Sequence, residues 1–173
     1  MLGFISEGIT RLNLSYINLS GNKIQGTIPL GLFLMPNIQE IDLSSNKFTG
    51  SFPTLDSAAN IRESLVSLNV YDNLLSSTIP SWLMNATNLV YLNIQRNLFH
   101  GRLPDHVSLN QVKYLWMGMN ALTGSLPKDM FHLNELEELA VHHNLFTGVL
   151  PKVHTSFLKK RELNLFLDTF LIF

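Results

Sequence analysis

The feature that most constrains this chain is a spacing. Reading forward from Leu14, one order of residue types recurs six times. The first pass is Leu14, Ile17, Leu19, Asn22, Ile24, Gly26, Ile28 and Pro29, and the fifth is Val112, Leu115, Met117, Asn120, Leu122, Gly124, Leu126 and Pro127. The asparagines Asn22, Asn46, Asn73, Asn97, Asn120 and Asn144 lie 24, 27, 24, 23 and 24 residues apart. Six of the 7 prolines and five of the 10 glycines occupy fixed places in this frame. A period of this length, held over most of a chain, defines a stacked repeat in which each unit touches only its neighbours.

Each part of the period has a physical task. The alternating apolar pair, such as Leu92 and Ile94, is a short strand with those side chains on one face. Parallel stacking of such strands buries that face and leaves the other open as a concave surface. The asparagine follows the strand, where the chain turns and its backbone loses partners. A side-chain amide there can donate to and accept from backbone groups of adjacent repeats. Glycine permits the next bend, and proline ends a second extended stretch by restricting the residue before it. The remaining segment, such as residues 81–88, returns along the convex side. The longest spacing puts extra residues into 54–64, read as a longer convex loop with a helix as the alternative.

Composition removes whole classes of function. Charged residues are 14% of the 173, against roughly 25% in ordinary soluble domains. The formal net charge of −1 leaves no electrostatic footprint for nucleic acid or an anionic membrane. The absence of cysteine excludes disulfides, thiolate metal sites and thiol nucleophiles. Glu7 interrupts the opening residues too early for a secretory leader, and no stretch approaches the roughly 20 apolar residues of a membrane span. No G-x-S-x-G elbow, phosphate-cradling glycine loop or kinase signature is present, so the expectation is a non-enzyme without cofactor.

The consensus L-x-x-L-x-L-x-x-N-x-L-x-G-x-I-P resembles the plant-type leucine-rich repeat of receptor-like kinases and receptor-like proteins. Asn46-Lys47-Phe48-Thr49-Gly50-Ser51-Phe52-Pro53 and the stretch from Asn120 to Pro127 are especially close. The resemblance implies an α/β solenoid, a leucine-rich repeat horseshoe. Short parallel β-strands would line its concave face, with loops and short helical or 3-10 turns on the convex one. It also implies recognition of a peptide, protein or small ligand outside the cell. The chain departs from that family in lacking a leader, cysteine-paired caps and a membrane span. The family's paired-arginine site for a peptide carboxylate has no counterpart either; Gln95-Arg96 is the nearest text.

The organisation expected is a single domain over 1–173, with six full repeats over about 14–151. Residues 1–13 form a partial repeat of ambiguous frame, because Leu12-Asn13-Leu14 offers a second alternating pair. Residues 152–173 form a degenerate, truncated one. There Leu163 and Leu165 fall at strand positions, Asp168 replaces the asparagine, and Phe166, Phe170, Leu171, Ile172 and Phe173 make an apolar end. Such an end reads as a truncated gene product or a piece of a longer receptor rather than an intact small protein.

A ligand site must lie among the residues flanking the buried pairs. The central column of the concave face reads Asn18, Asp42, Asn69, Asn93, Trp116, Ala140. The preceding column reads Tyr16, Glu40, Ser67, Tyr91, Tyr114, Glu138. The two that follow are Ser20, Ser44, Tyr71, Gln95, Gly118, His142 and Gly21, Ser45, Asp72, Arg96, Met119, His143. Most are small and polar, as a solvated face requires. The exception is Tyr71, Tyr91, Tyr114 and Trp116, with Arg96 and Met119 beside them. Tryptophan, tyrosine and arginine dominate interface hot spots, and these six are the candidate ligand-binding residues. The competing account is cross-strand stabilisation alone. His142 and His143 would need further ligands to hold a metal, and none is expected. Glu40, Asp42 and Asp72 form a mildly acidic patch without the enclosure that catalysis needs.

Three function classes remain. One is the recognition module of a cell-surface receptor-like protein, binding a protein or peptide ligand and a co-receptor. The second is an intracellular repeat scaffold, cytoplasmic if the chain is complete as written. The third is a nonfunctional fragment. None involves nucleic acid or direct membrane contact by this chain. The sequons Asn13-Leu14-Ser15, Asn18-Leu19-Ser20 and Asn85-Ala86-Thr87 do not discriminate among them.

Overall fold

The computed structural model describes residues 3–55, 61–148 and 164–166, the last three by their backbone alone. The expected features at Ala58, Ala59, Leu150, Pro151 and Leu163, and those over 168–173, lie outside the described residues. The apolar pair of each repeat becomes a three-residue strand. On the concave wall lie β1 (Tyr16–Asn18), β3 (Glu40–Asp42), β5 (Ser67–Asn69), β7 (Tyr91–Asn93), β9 (Tyr114–Trp116), β11 (Glu138–Ala140) and β13 (Asn164–Phe166). These seven make one parallel sheet in chain order. Its register sets Ile17, Ile41, Leu68, Leu92, Leu115, Leu139 and Leu165 in one row. Ile41, Leu68, Leu92, Leu115 and Leu139 are at most 1% exposed, so the row is the spine of the core. Each such side chain stabilises the stack by roughly 1.5–3 kcal/mol.

The second extended stretch forms a wall of its own, which the sequence reading did not anticipate. Its strands are β2 (Gln25–Gly26), β4 (Lys47–Gly50), β6 (Leu74–Leu75), β8 (His100–Arg102), β10 (Ala121–Gly124) and β12 (Leu145–Phe146). They pair in parallel as two separate sheets, β2-β4-β6 and β8-β10-β12. The break falls at the third repeat, the one pass in which serine (Ser77) stands where the others have glycine. Gly26, Gly50, Gly101, Gly124 and Gly148 all take positive φ there, whereas Ser77 does not. Backbone bonds still bridge the break, from Leu98 N–H to Leu75 O (2.8 Å) and His100 N–H to Ser77 O (3.0 Å).

The convex side carries single helical turns: α1 (Leu30–Phe33), α2 (Ile61–Ser64), α3 (Ser81–Met84) and a 3-10 turn at Lys128–His132. Pro29, Pro80 and Pro127 sit at the N-caps of three of them, where a missing N–H costs nothing. The long return between the second and third repeats ends in a helix, α2. Beneath these turns Phe52 stacks on Phe99 (5.3 Å between centroids, 5° between planes), and Trp82 meets Phe33 edge-on at 5.4 Å. The Trp82 indole donates to Pro53 O at 3.1 Å.

The ambiguity at the amino end resolves against a strand at Leu12-Asn13-Leu14. Glu7–Arg11 is a 3-10 turn, Leu12 is its exposed C-cap, and the first concave strand begins at Tyr16. Gly3 bridges to Ile24 in parallel fashion, and Gly3 O accepts from Gln25 N–H at 3.0 Å. Residues 3–11 thus present the lateral and convex parts of a repeat.

The asparagines lock each repeat to the one before it. Asn97 Nδ2 donates to Val70 O of the preceding repeat (2.9 Å) and to Ile94 O and Gln95 O of its own (3.3 and 3.1 Å). Its Oδ1 accepts from Leu75 N–H at 3.1 Å. Asn46, Asn73, Asn120 and Asn144 repeat this bridge, accepting from Ile24, Phe48, Phe99 and Leu122 N–H respectively. Asn22 differs: among the described residues its side chain bonds Leu19 O and Ser20 O, both at 3.0 Å, and no group of another repeat.

Candidate functional site

The sheet register settles which concave side chains are neighbours. Tyr16, Glu40, Ser67, Tyr91, Tyr114 and Glu138 form one row across the strands. Asn18, Asp42, Asn69, Asn93, Trp116 and Ala140 form the next. In four passes this second row ends its strand locally. The Oδ1 atoms of Asn18, Asp42, Asn69 and Asn93 accept from the N–H two residues on, at 2.9, 2.9, 3.1 and 3.1 Å. Short polar side chains at such a turn satisfy backbone that the sheet leaves open. The fifth pass gives up this local bond and places Trp116 there instead.

A further row is strained throughout. Ser45, Asp72, Arg96, Met119 and His143 all adopt left-handed φ of 52–55°, and Gly21 matches them at 67°. For a non-glycine residue this costs about 1–2 kcal/mol, offset here by the asparagine ladder that begins at the next residue. The two outlying site candidates, Arg96 and Met119, stand on this strained row.

Of the six candidates, the fold brings Tyr91, Tyr114 and Trp116 into one cluster. Ring centroids are 5.3 Å apart for Tyr91 and Trp116, 6.1 Å for Tyr114 and Trp116, and 6.3 Å for Tyr91 and Tyr114. Each ring keeps part of its surface open. Two of the polar ends are held by acidic side chains of the next repeat, of which Glu137 lies outside the concave columns: Trp116 Nε1 donates to Glu138 Oε2 at 3.1 Å, and Tyr114 Oη donates to Glu137 Oε2 at 3.0 Å. Lys113 Nζ meets the other Glu137 oxygen at 2.8 Å. The Tyr114 phenol is pushed above its usual pKa first by the hydrogen bond to Glu137 and then by that carboxylate's charge. Burial is the main cause raising the Tyr91 phenol, with Asp42 adding to it and the bond from Asn93 opposing it.

Tyr71 does not join this cluster. It makes no ring contact with the other three among the described residues, so the four aromatics are not one continuous surface. Tyr71 sits four positions further along its repeat than the row of Tyr91 and pairs with Arg96 instead. Arg96 Nη1 donates to Tyr71 Oη at 3.2 Å, and its guanidinium lies 5.9 Å from the ring centroid. Asp72 faces Arg96 at 3.7 Å. Met119 is exposed at 41%. Just before it the His142 ring covers Gly118, where a Cβ would lie 2.7 Å from His142 Cε1, so a larger residue there would have to displace that ring.

A second feature was missed because the acidic residues were judged only as catalysts. A groove of about 320 Å³ opens on the same face, beside the cluster, with Tyr16 and Tyr91 as end walls. Glu40, Asp42, Ser67 and Asn69 lie between them. The row Tyr16, Glu40, Ser67, Tyr91 carried the signal, since large rings flank a short side chain.

Stacked parallel strands, an asparagine ladder and an open concave face define a leucine-rich repeat solenoid. Residues 13–35, 37–57 and 64–86 match the family Leucine Rich Repeat. Phytosulfokine receptor 1 of Arabidopsis thaliana is 33% identical over 133 residues, which cover 76% of this chain and 13% of that protein. Among solved structures, a TDR receptor superposes with a TM-score of 0.83 at 30% identity, over 95% of this chain and 28% of that one. The Arabidopsis receptor kinase HAESA, solved with the peptide hormone IDA and the co-receptor SERK1, gives 0.78 at 29% identity, over 86% and 25%. The chain belongs to the leucine-rich repeat family, and its repeats are of the kind found in plant receptor-like proteins and receptor-like kinases. It spans less than one fifth of the curated relatives it matches. Among the described residues no helix is long and apolar enough to cross a membrane.

Proposed function

We propose that this chain is the ligand-recognition portion of a cell-surface receptor-like protein, non-catalytic in itself, which binds a peptide or protein segment along its concave face. Tyr91, Tyr114 and Trp116 form the central contact, with the Tyr71–Arg96 pair and Met119 flanking it. The observation that carries this reading is Trp116. Four repeats use that position to terminate the strand, and the fifth replaces the local bond with the largest side chain, partly exposed on an open sheet. Its neighbour Ala140 is small, which leaves the indole room to reach Glu138. Half-open aromatic rings with their polar ends already bonded lose little entropy when a partner covers them. That HAESA was solved with a peptide hormone and a co-receptor supports the same class of partner here, and the likeness to receptor ectodomains supports the extracellular face.

The test compares neighbouring residues on one strand. Trp116→Ala removes two ring contacts and one hydrogen bond and should cost about 1–2 kcal/mol of stability. Leu115→Ala empties a fully buried position and should cost about 2–5 kcal/mol. Peptides selected from a random displayed library on the wild-type chain should bind Trp116→Ala at least about tenfold more weakly. Equal destabilisation by the two substitutions, or unchanged peptide affinity in Trp116→Ala, refutes the reading.

A further inference from the structure

The groove between Tyr16 and Tyr91 holds two carboxylates on β3, Glu40 and Asp42, and among the described residues neither has a cationic partner. Asp42 is nevertheless held in place. Its Oδ1 accepts from Ser44 N–H at 2.9 Å and Ser44 Oγ at 2.6 Å, and its Oδ2 accepts from Asn69 Nδ2 at 3.3 Å. These donors are neutral, so they orient the charge without cancelling it. The charge is also felt across the groove, where it helps to raise the Tyr91 phenol. The two walls are tyrosine rings, whose faces attract cations. A void of about 320 Å³ with aromatic ends and fixed negative charge on its floor is complementary to a long side chain with a positive tip.

We propose that this groove is the subsite for one arginine or lysine side chain of the peptide ligand. The proposal rests on the concave-face reading above and adds a chemical requirement and a spacing to it. Tyr91 belongs to both the groove and the aromatic cluster, so one ligand crosses both. Asp42 on β3 and Trp116 on β9 are three strands apart in the sheet. At about 4.8 Å per strand the separation is roughly 14 Å, which an extended peptide spans in about four residues. The ligand therefore carries its basic residue about four positions from the aromatic or large apolar residue that covers Trp116. The basic end lies toward the amino-terminal repeats.

The experiment uses the full chain and a random displayed peptide library, followed by terminally blocked synthetic peptides of the enriched sequences. The paired substitution Glu40→Gln with Asp42→Asn neutralises the groove and retains its shape. Asparagine already fills the equivalent of Asp42 at positions 18, 69 and 93, so the strand terminator survives. Enriched sequences should carry arginine or lysine at the stated spacing from an aromatic residue. Replacing that basic residue by glutamine should weaken binding to the wild-type chain about fivefold, as for a partly exposed ion pair, and leave binding to the paired variant unchanged. Enriched sequences without a basic residue, or an equal loss in both chains, overturn the subsite. If affinity still depends on Trp116 in that case, the concave-face reading stands alone. Affinity indifferent to Trp116→Ala overturns that reading instead, and failure to enrich any sequence overturns both.

Discussion

Truncating one asparagine of the ladder tests whether the stack is held by side-chain amides or by its apolar spine alone. Asn97 is the informative position because every group it touches can be followed. In Asn97→Ala, Val70 O keeps the bond from Asn73 Nδ2 at 3.2 Å, and Ile94 O keeps that from Asn120 Nδ2 at 3.0 Å. Gln95 O keeps Asp72 N–H at 3.1 Å. Leu75 N–H is different, since Asn97 Oδ1 is its acceptor and Leu75 is wholly buried. An orphaned buried donor costs about 1–3 kcal/mol, and the three weakened carbonyls bring the total to about 2–4 kcal/mol. Asn22→Ala is the matched control. Its side chain is exposed, and Leu19 O retains the 2.8 Å bond from Asn46, so the cost should stay under about 1 kcal/mol. Urea unfolding followed by far-UV circular dichroism measures both, and amide hydrogen exchange at Leu75 should lose protection in Asn97→Ala only. If the two variants differ by less than about 0.5 kcal/mol, the ladder contributes little and the accounting above is wrong.

Met119→Gly should stabilise the chain by about 0.5–1 kcal/mol, because relief of the left-handed φ exceeds the entropy glycine adds to the unfolded state. A loss of stability, read from the unfolding midpoint, would show that the Met119 side chain packs more than its exposure implies. Gly101→Ala should cost about 1–3 kcal/mol, since φ is +77° and the new Cβ would lie 2.9 Å from Thr78 Cγ2. Adding Thr78→Ser should recover part of that loss, and no recovery would leave the backbone as the whole cause. Tyr91 and Tyr114 ionise above the ordinary value of 10.0, so the folded chain holds these protons longer than the unfolded one. Their contribution is complete below about pH 10 and disappears as pH rises through the higher folded values. Phenolate absorbance should show a late-titrating fraction that Glu137→Gln advances; a titration unaffected by that change would remove Glu137 as the cause.

Much of this protein follows from the period of its sequence. A strand whose neighbours are the same strand one repeat away has its register dictated by the spacing. The buried row through Leu68, Leu92 and Leu115, and the exposed rows beside it, can therefore be read off the chain. So can the asparagine position, because a turn after a buried strand needs both a donor and an acceptor. Tertiary structure decided what periodicity does not carry. Side-chain reach put Tyr91, Tyr114 and Trp116 together and left Tyr71 with Arg96, and it brought Glu137 and Glu138 to the polar ends of the cluster. Whether Tyr16 and Tyr91 enclose a void depends on Ser67 and Asn69 being short between them, which becomes visible only when rows are compared across four strands. The left-handed row at Ser45, Asp72, Arg96, Met119 and His143 leaves no mark in residue type, since non-glycine residues accept the strain where the following asparagine offsets it. The lateral wall and its break at Ser77 likewise depend on how successive turns stack. The period specifies which backbones are neighbours; the packing between them determines φ, rotamer and empty space.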